Sequence, residues 1–516
     1  MIDLSNVVPP PSDNEVKISP WIDEQIWGHR LWDASSSWLV FLEFLTVAES
    51  CYRQGVLLDE GGEFSLSKFK PYKRMYLRNI LFNNQDMERI ADHLPNSSSA
   101  WDEWLKWMRD KAQGVSSSEF AYLRGRFHSF KQFASLVAMI RSANVEANAN
   151  KRWTSRFIFP FGPKALYEDI KVSNSGAPTR DYINFGRTGE LLYLMLCRCS
   201  SAVALRDRIA AMFSGENPWN DLLGLLQPDE EEDLSLRGKS YLPYKTHPTF
   251  DRLGEDWLRV FKLALPGFDG WPQLVTLAAL HIVLYQLNVA NEWSNSPKRL
   301  YLVCEVIAPK KTPVRELSSA SFSENNLLPA RAVDTYLDQV ESCEEWQNAI
   351  VEPGSFVKCR QILQDRVRWG EAADDYDGPN DPVAMIRELR SQALTGHRQH
   401  VANVHRSYGR EAGLVSKRGT NKFRYAPTDA LFRALVLANV SQRMELKEFL
   451  DRLYQRYGFV FGEREAGRVL NAEEFDKKVF EANSRRLEQR LASLGMLLRL
   501  SDGCAYVENP YSRGSE

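Results

Sequence analysis

Three sets of side chains in this sequence have types and spacings that could do chemistry. The first pairs acids with lysines: Glu168-Asp169-Ile170-Lys171, and Glu305 followed by Lys310 after Pro309. A metal-dependent nuclease gathers carboxylates around a divalent ion and uses a neighbouring lysine to orient water. Asp169 and Lys171 are two apart, which puts both on one face of a strand, although with Asp where Glu is usual. Glu305 has the strand without the lysine. The second set is His397, His400 and His405. His397 and His400 share a helical face and His405 falls off it. Zinc needs three or four ligands and no cysteine is close in sequence, so these histidines read as part of a basic arm and no metal is expected. The third set is cationic. Arg398, Arg406, Arg410, Lys417, Arg418, Lys422 and Arg424 stand against the single acid Glu411, and Lys477, Lys478, Arg485, Arg486 and Arg499 follow. Cations grouped in this way neutralise phosphates, release counterions and give salt-dependent nucleic-acid binding.

Other chemistries lack their residues. No Gly-x-x-x-x-Gly-Lys-Ser/Thr loop, no Gly-x-Gly-x-x-Gly after a strand, no His-Glu-x-x-His and no Gly-x-Ser-x-Gly elbow occurs, so no catalytic residue and no cofactor is expected. Cys197-Arg-Cys199 lies in an apolar helical run and reads as core. The net charge is -2, so any polyanion must be held by a local basic face. Seven cysteines, at 51, 197, 199, 304, 343, 359 and 504, form no disulfide framework and suit a reducing cytoplasm. Met1-Ile-Asp-Leu opens no secretory signal. The apolar stretch Trp271 to Ala290 contains Gln273, His281, Gln286 and Asn288 and reads as a buried helix rather than a membrane span.

The elements that must position these groups are mostly helices. Apolar content of 44% and charged content of 26% fit a globular chain, and 516 residues are too many for one ordinary core. The expected organisation is a mainly α-helical multidomain protein with minor β structure. An N-terminal helical domain covers 1–140, and a central, mainly helical domain with short strands covers 141–375. A linker and basic arm follow at 376–424, and a C-terminal winged-helix domain at 425–511. Two tryptophan groups, Trp21, Trp27, Trp32 and Trp38 and then Trp101, Trp104 and Trp107, read as aromatic core. A basic stretch with Lys151, Arg152, Arg156, Lys164, Lys171, Arg180 and Arg187 reads equally well as a groove-lining loop or as ordinary surface. Asp229-Glu-Glu-Glu-Asp233 reads as an exposed loop. The clearest strand signature in the middle of the chain is Arg299 to Ile307.

In the C-terminal part, a helix starts after Tyr425-Ala-Pro-Thr-Asp429, and a second runs from about Met444 to Tyr457 and ends at Gly458, a natural left-handed cap. A third runs from about Glu473 to Leu494. The strands Met496–Leu500 and Cys504–Glu508 follow around Ser501-Asp502-Gly503. In the third helix Phe480, Leu487, Leu491 and Leu494 form one apolar stripe, and Lys477, Lys478, Arg485 and Arg486 lie largely off it.

The segments YAPTDALFRALV, FLDRLYQRYG, RRLEQRLASLGML and LSDGCAYVENPY resemble the end domain of large accessory proteins encoded in bacterial anti-phage islands, of the phosphorothioation-dependent or methylation-associated type. The likeness covers about residues 425–511 and extends loosely to GRTGELLYLMLCR at 186–198. It implies a non-catalytic subunit that works beside a separate ATPase, methylase or nuclease. The resulting expectation is a cytoplasmic, DNA-engaging component of an antiviral defence complex with no membrane partner. Its contacts to duplex DNA would come from Lys417, Arg418, Lys422, Arg424, Lys477, Lys478, Arg485, Arg486 and Arg499. Two alternatives stand beside it: a scaffold whose winged helix docks on the partner subunit, and a cryptic metal-dependent nuclease using Asp169 or Glu305.

Overall fold

The computed structural model describes residues 6–8, 18–29, 31–32, 36–59, 75–82, 86–94, 96–112, 119–142, 170–172, 178–180, 188–214, 218–228, 240–266, 269–294, 299–309, 311–367, 378–417, 422–471, 475–501 and 504–512. Among them the chain is mainly helical, with twenty-one α-helices and only short strands.

The packing is organised around the helix Trp271–Glu292. Apolar residues surround its axis, so no face of it suits water, and it is enclosed on all sides. Helices Ile18–Trp27, Ser37–Arg53, Pro248–Lys262, Leu328–Ser342, Val401–Glu411 and Asp429–Asn439 all pack against it. It is long and apolar enough to cross a membrane, but most of it is buried by these neighbours, as in a core helix. Its polar residues are used inside. Gln286 donates through Nε2 to the Val401 carbonyl at 2.5 Å, and Trp27 Nε1 donates to the Gln286 carbonyl at 3.1 Å.

Of the two tryptophan groups, Trp27, Trp101 and Trp104 are buried in the core, and the Trp21 side chain lies outside the described residues. Trp101 and Trp104 pack among Phe120, Phe130 and Phe133, while Trp27 and Trp257 are fully enclosed in the central bundle. Cys199 is buried and Cys197 partly so, as expected of a helix on the core. Gly254 permits that packing, because a Cβ there would meet Cys199 Sγ at 2.4 Å.

Strands join distant parts of the chain. The run Arg299–Ile307 supplies a strand of only two residues, Leu302–Val303, which pairs in parallel with Phe459–Val460. Cys304 bridges to Tyr425, and the Glu305 amide donates to the Tyr425 carbonyl at 2.9 Å. Tyr425 also belongs to the strand Arg424–Tyr425, antiparallel to Val415–Ser416. The boundary expected between 424 and 425 therefore runs through a strand. Most of the expected basic arm is regular structure: helices Pro382–Gln399 and Val401–Glu411 lie in the bundle, the first capped by Asp381 Oδ2 accepting from the Ala384 amide at 2.8 Å.

After residue 428 the order is helix Asp429–Asn439, strand Met444–Glu445, helix Leu446–Tyr457, strand Phe459–Val460, short helix Glu463–Val469, helix Lys477–Ser493, and the strands Leu497–Ser501 and Cys504–Val507. Gly458 closes the second of these helices with φ +77°, and its missing Cβ leaves room for the Leu300 carbonyl. The two last strands form an antiparallel hairpin, and Met444–Glu445 pairs along the free edge of Cys504–Val507.

Candidate nucleic-acid interface

The helix Lys477–Ser493 carries the face that best suits a polyanion. Asp476 caps it, accepting from the Lys478 and Val479 amides at 2.9 and 3.4 Å. Its inner stripe, Phe480, Asn483, Leu487 and Leu491, is buried. The apolar members follow the periodicity of the sequence. Asn483 does not, and it fixes the helix to the body: its Oδ1 accepts from the Val306 amide at 2.9 Å, and its Nδ2 donates to the Cys304 and Phe461 carbonyls at 3.0 Å each. All its bonds go to the ends of the 302–303 and 459–460 strands, so the opposite face of the helix is held outward in a fixed orientation.

That outward face carries Lys478, Arg485 and Gln489, seven and four residues apart, with Arg486 on its flank. Ala482 lies between Lys478 and Arg485, and Ala492 and Ser493 follow Gln489, which keeps the surface low. Lys478, Arg485 and Arg486 make no ion pair among the described residues, so their charge is not already spent on a carboxylate. Lys477 differs, since Glu463 and Glu481 lie 3.6 and 3.7 Å from its Nζ. Arg490 is held by Asp429 at 2.5 Å.

Next to the helix, Ala308, Pro309 and residues 311–313 line, together with it, an open cleft of about 560 Å³. Lys311, Thr312, Lys478 and Arg486 supply its polar lining and Pro309, Pro313, Val479 and Ala482 its apolar walls; no acid is among its lining residues. Thr312 Oγ1 is buried without a hydrogen-bond partner. Lys311 also makes no ion pair among the described residues. Sequence reasoning missed Lys311 and Thr312. They lie in a loop far upstream, and only the strand pairing of 302–303 with 459–460 brings that loop to the helix.

The remaining expected contacts divide. Lys417 is exposed, with its ammonium 5.4 Å from the Phe423 ring, and Lys422 is exposed. Arg499, on the hairpin, has Glu488 3.7 Å away. Arg418 lies outside the described residues. Arg424 must be corrected: it is 2% exposed, and its Nε donates to Glu305 Oε2 at 2.6 Å, so it cannot reach a phosphate. Its position in a strand against the 302–305 segment puts it inside, where a guanidinium needs a carboxylate.

The same pair removes Glu305 from the nuclease alternative. Glu305 is fully buried and accepts from both Arg424 and Arg315, the latter at 2.9 Å, which leaves no access for a metal or a substrate. Asp169 lies outside the described residues, and Lys171 falls in a short hairpin, Ile170–Val172 with Pro178–Arg180. No group of three or more metal-binding side chains occurs among the described residues.

The three histidines are not on an arm. His397 is buried and bonded to Asp23 at 2.8 Å, His400 stacks on Trp32 with 4.1 Å between ring centres, and His405 is enclosed against Phe322 and Tyr425. Burial, aided by the charge of Arg406, pushes the His405 pKa down to about 3, so the ring is neutral. A second buried site links the bundle to the C-terminal unit. Asp256 accepts from His281 Nε2 at 2.8 Å, Tyr457 Oη at 2.7 Å and Arg456 Nη2 at 2.5 Å. Burial opposes the charge on Asp256, but these donors outweigh it and hold its pKa below the usual carboxylate value. Asp256 and His281 are fully buried, and through Arg456 and Tyr457 this cluster acts as a structural joint.

Comparison with family models, with curated proteins and with solved structures gives no match to this chain.

Proposed function

We propose that this protein engages duplex DNA without catalysing a reaction on it, by laying the outward face of helix Lys477–Ser493 against the phosphate backbone. The observation that carries this reading is the set of cations without carboxylate partners, Lys478, Arg485 and Arg486, on a helix whose inner face is locked to the body. A helix held in this way presents its charges preorganised, and small residues between them allow close approach. The C-terminal unit is read as a winged helix. In support, the short strand after its first helix pairs with the second strand of the terminal hairpin. The additional helix Glu463–Val469 and the strand Phe459–Val460, paired outside the unit, are departures from the simplest such domain. Lys417, Lys422 and Arg499 would extend the footprint. Membership of a cytoplasmic anti-phage complex, beside an ATPase, methylase or nuclease, rests on the likeness of the C-terminal sequence alone.

The test is fluorescence anisotropy of labelled duplex DNA with the full chain across a salt series. Arg485→Glu combined with Arg486→Glu should weaken binding at least about tenfold, irrespective of base sequence, and reduce the salt slope by about two. Unchanged affinity in a folded double variant refutes the reading.

A protein-docking role is the second reading, and one observation favours it. Leu498 and Leu500 are 40% and 57% exposed on the terminal hairpin, where a DNA-binding wing would carry cations. Absence of salt-sensitive DNA binding by the intact chain, with co-purification of a partner lost on Leu500→Glu, would establish docking instead.

A further inference from the structure

We infer that the cleft that Ala308, Pro309 and residues 311–313 form with helix Lys477–Ser493 is a seat for one phosphate group, which fixes the register of a nucleic-acid strand on the protein. This deepens the nucleic-acid reading above and rests on it for the source of the phosphate.

Five features converge on the same volume. Cations reach it from two elements distant in sequence: Lys311 from the loop, and Lys478 and Arg486 from the helix. Neither side carries an acid into it, so a bound anion would meet no repulsion from the lining. Thr312 lines the cleft, and its hydroxyl oxygen is turned inward without a hydrogen-bond partner, so a rotation about χ1 toward the cleft would give that oxygen the bond it lacks when a phosphate is seated. Thr312 is also the residue before helix Pro313–Asn325 and does not cap it with its side chain, so the positive end of that helix opens onto the same wall. The walls from Pro309, Pro313, Val479 and Ala482 exclude water from one side of an ion, which strengthens attraction to the cations relative to an open surface.

The size and opening of the cleft indicate what the phosphate belongs to. A volume of about 560 Å³ lies in the range of small-ligand sites and exceeds what a lone phosphate fills. Lys478 and Arg486 line the cleft and also belong to the outward helix face and its flank, beside Arg485 and Gln489, so a chain of phosphates can run from the seat along the helix. An isolated carboxylate would use the cations of the seat but not this continuation along the helix. Arg486 serves both seat and face, whereas Lys311 and Thr312 serve only the seat, and that difference makes the inference testable.

The experiment uses the full chain with Thr312→Val and Lys311→Gln, both close in shape to the native residues, and Arg485→Glu as the face control. Binding of labelled duplex DNA is read across a salt series, and the melting temperature of each protein is read with and without inorganic pyrophosphate. Thr312→Val should weaken DNA binding roughly tenfold with the salt slope unchanged, since it removes a hydrogen bond and no charge. Lys311→Gln should weaken it and reduce the slope by about one. Pyrophosphate at about ten times its Kd should raise the wild-type melting temperature by roughly 1–2 °C, and the Thr312→Val protein less. If both seat variants bind DNA as wild type while Arg485→Glu weakens it, the seat is overturned and the DNA reading survives. If wild type binds no DNA but pyrophosphate stabilises it through Thr312, the seat survives with a free phosphorylated compound, and the DNA reading falls. Neither DNA binding nor stabilisation by pyrophosphate overturns both.

Discussion

Replacing His405 by glutamine or phenylalanine should remove a measurable part of the protein's acid sensitivity. The ring is completely enclosed, stacked on Phe322 at 4.5 Å and bonded through Nε2 to Tyr425 Oη at 3.0 Å. Burial first, and the nearby Arg406 charge second, lower its pKa from 6.5 to about 3. The unfolded chain takes up the proton near pH 6.5, whereas the folded protein does so only near the depressed value. Between those limits the unfolded state binds one more proton, so stability is intact above about pH 6.5 and falls as the pH is lowered. The rate of loss is about 1.4 kcal/mol per pH unit once the unfolded histidine is protonated, which gives about 2–3 kcal/mol between pH 6 and pH 4. His281, also lowered by burial, acts in the same direction in wild type and variants alike, so the quantity to compare is the difference in slope. Urea denaturation at pH 7.5, 6, 5 and 4, followed by tryptophan fluorescence, measures it. His405→Gln preserves a hydrogen-bonding group for Tyr425 and His405→Phe preserves the stack, so the two cover each other's side effects. Equal loss of stability in wild type and both variants between pH 6 and pH 4 would refute the assignment of a buried neutral ring.

Three further outcomes follow from the packing. Gly254→Ala should destabilise by about 1–3 kcal/mol, because the new methyl would meet Cys199 Sγ at 2.4 Å. Cys199→Ala in the same background should recover most of that loss in a thermal melt. Arg424→Gln should leave the salt slope of DNA binding unchanged, since the side chain is interior, while lowering stability by roughly 2–4 kcal/mol as Glu305 retains Arg315 but loses its shorter bond. A reduced salt slope in that variant would return Arg424 to the interface. Asp256→Asn should cost about 2–4 kcal/mol, because an amide cannot accept at once from His281, Tyr457 and Arg456. An unfolding midpoint within error of wild type would show that this joint carries no energy.

Local pattern made much of this architecture legible. The stripe of Phe480, Leu487 and Leu491, the cap at Gly458 and the terminal hairpin all depend on neighbours within a few turns, and periodicity reports such neighbours faithfully. The helix Trp271–Glu292 was readable as interior because its polar residues are too many for a span. What stayed hidden depends on pairing at long range. Arg424 looks like any other member of a basic run, and only its strand partners and Glu305 place it inside. The three histidines looked like part of a basic arm because the break at His400 between helices Pro382–Gln399 and Val401–Glu411, and the bundle that buries His397 and His405, leave no local mark in the sequence. Lys311 and Thr312 carry no local signal at all, and become part of a site through the 302–303 and 459–460 strand pair.

That strand pair also sets a timetable for synthesis. Asp256 meets Tyr457 across 201 residues, and Val306 meets Asn483 across 177. At about 5–20 residues per second, the bundle around Trp271–Glu292 leaves the ribosome roughly 10–40 s before the helices that cover it exist. During that interval the surfaces later covered by Asp429–Asn439 and Phe459–Val460 are exposed apolar patches, open to chaperones or to misassembly. A chain that stops short of its last hundred residues is therefore not a smaller working protein with one module missing. It is an uncovered core, and quality control should clear a chain truncated before Asp429 as an unfolded one.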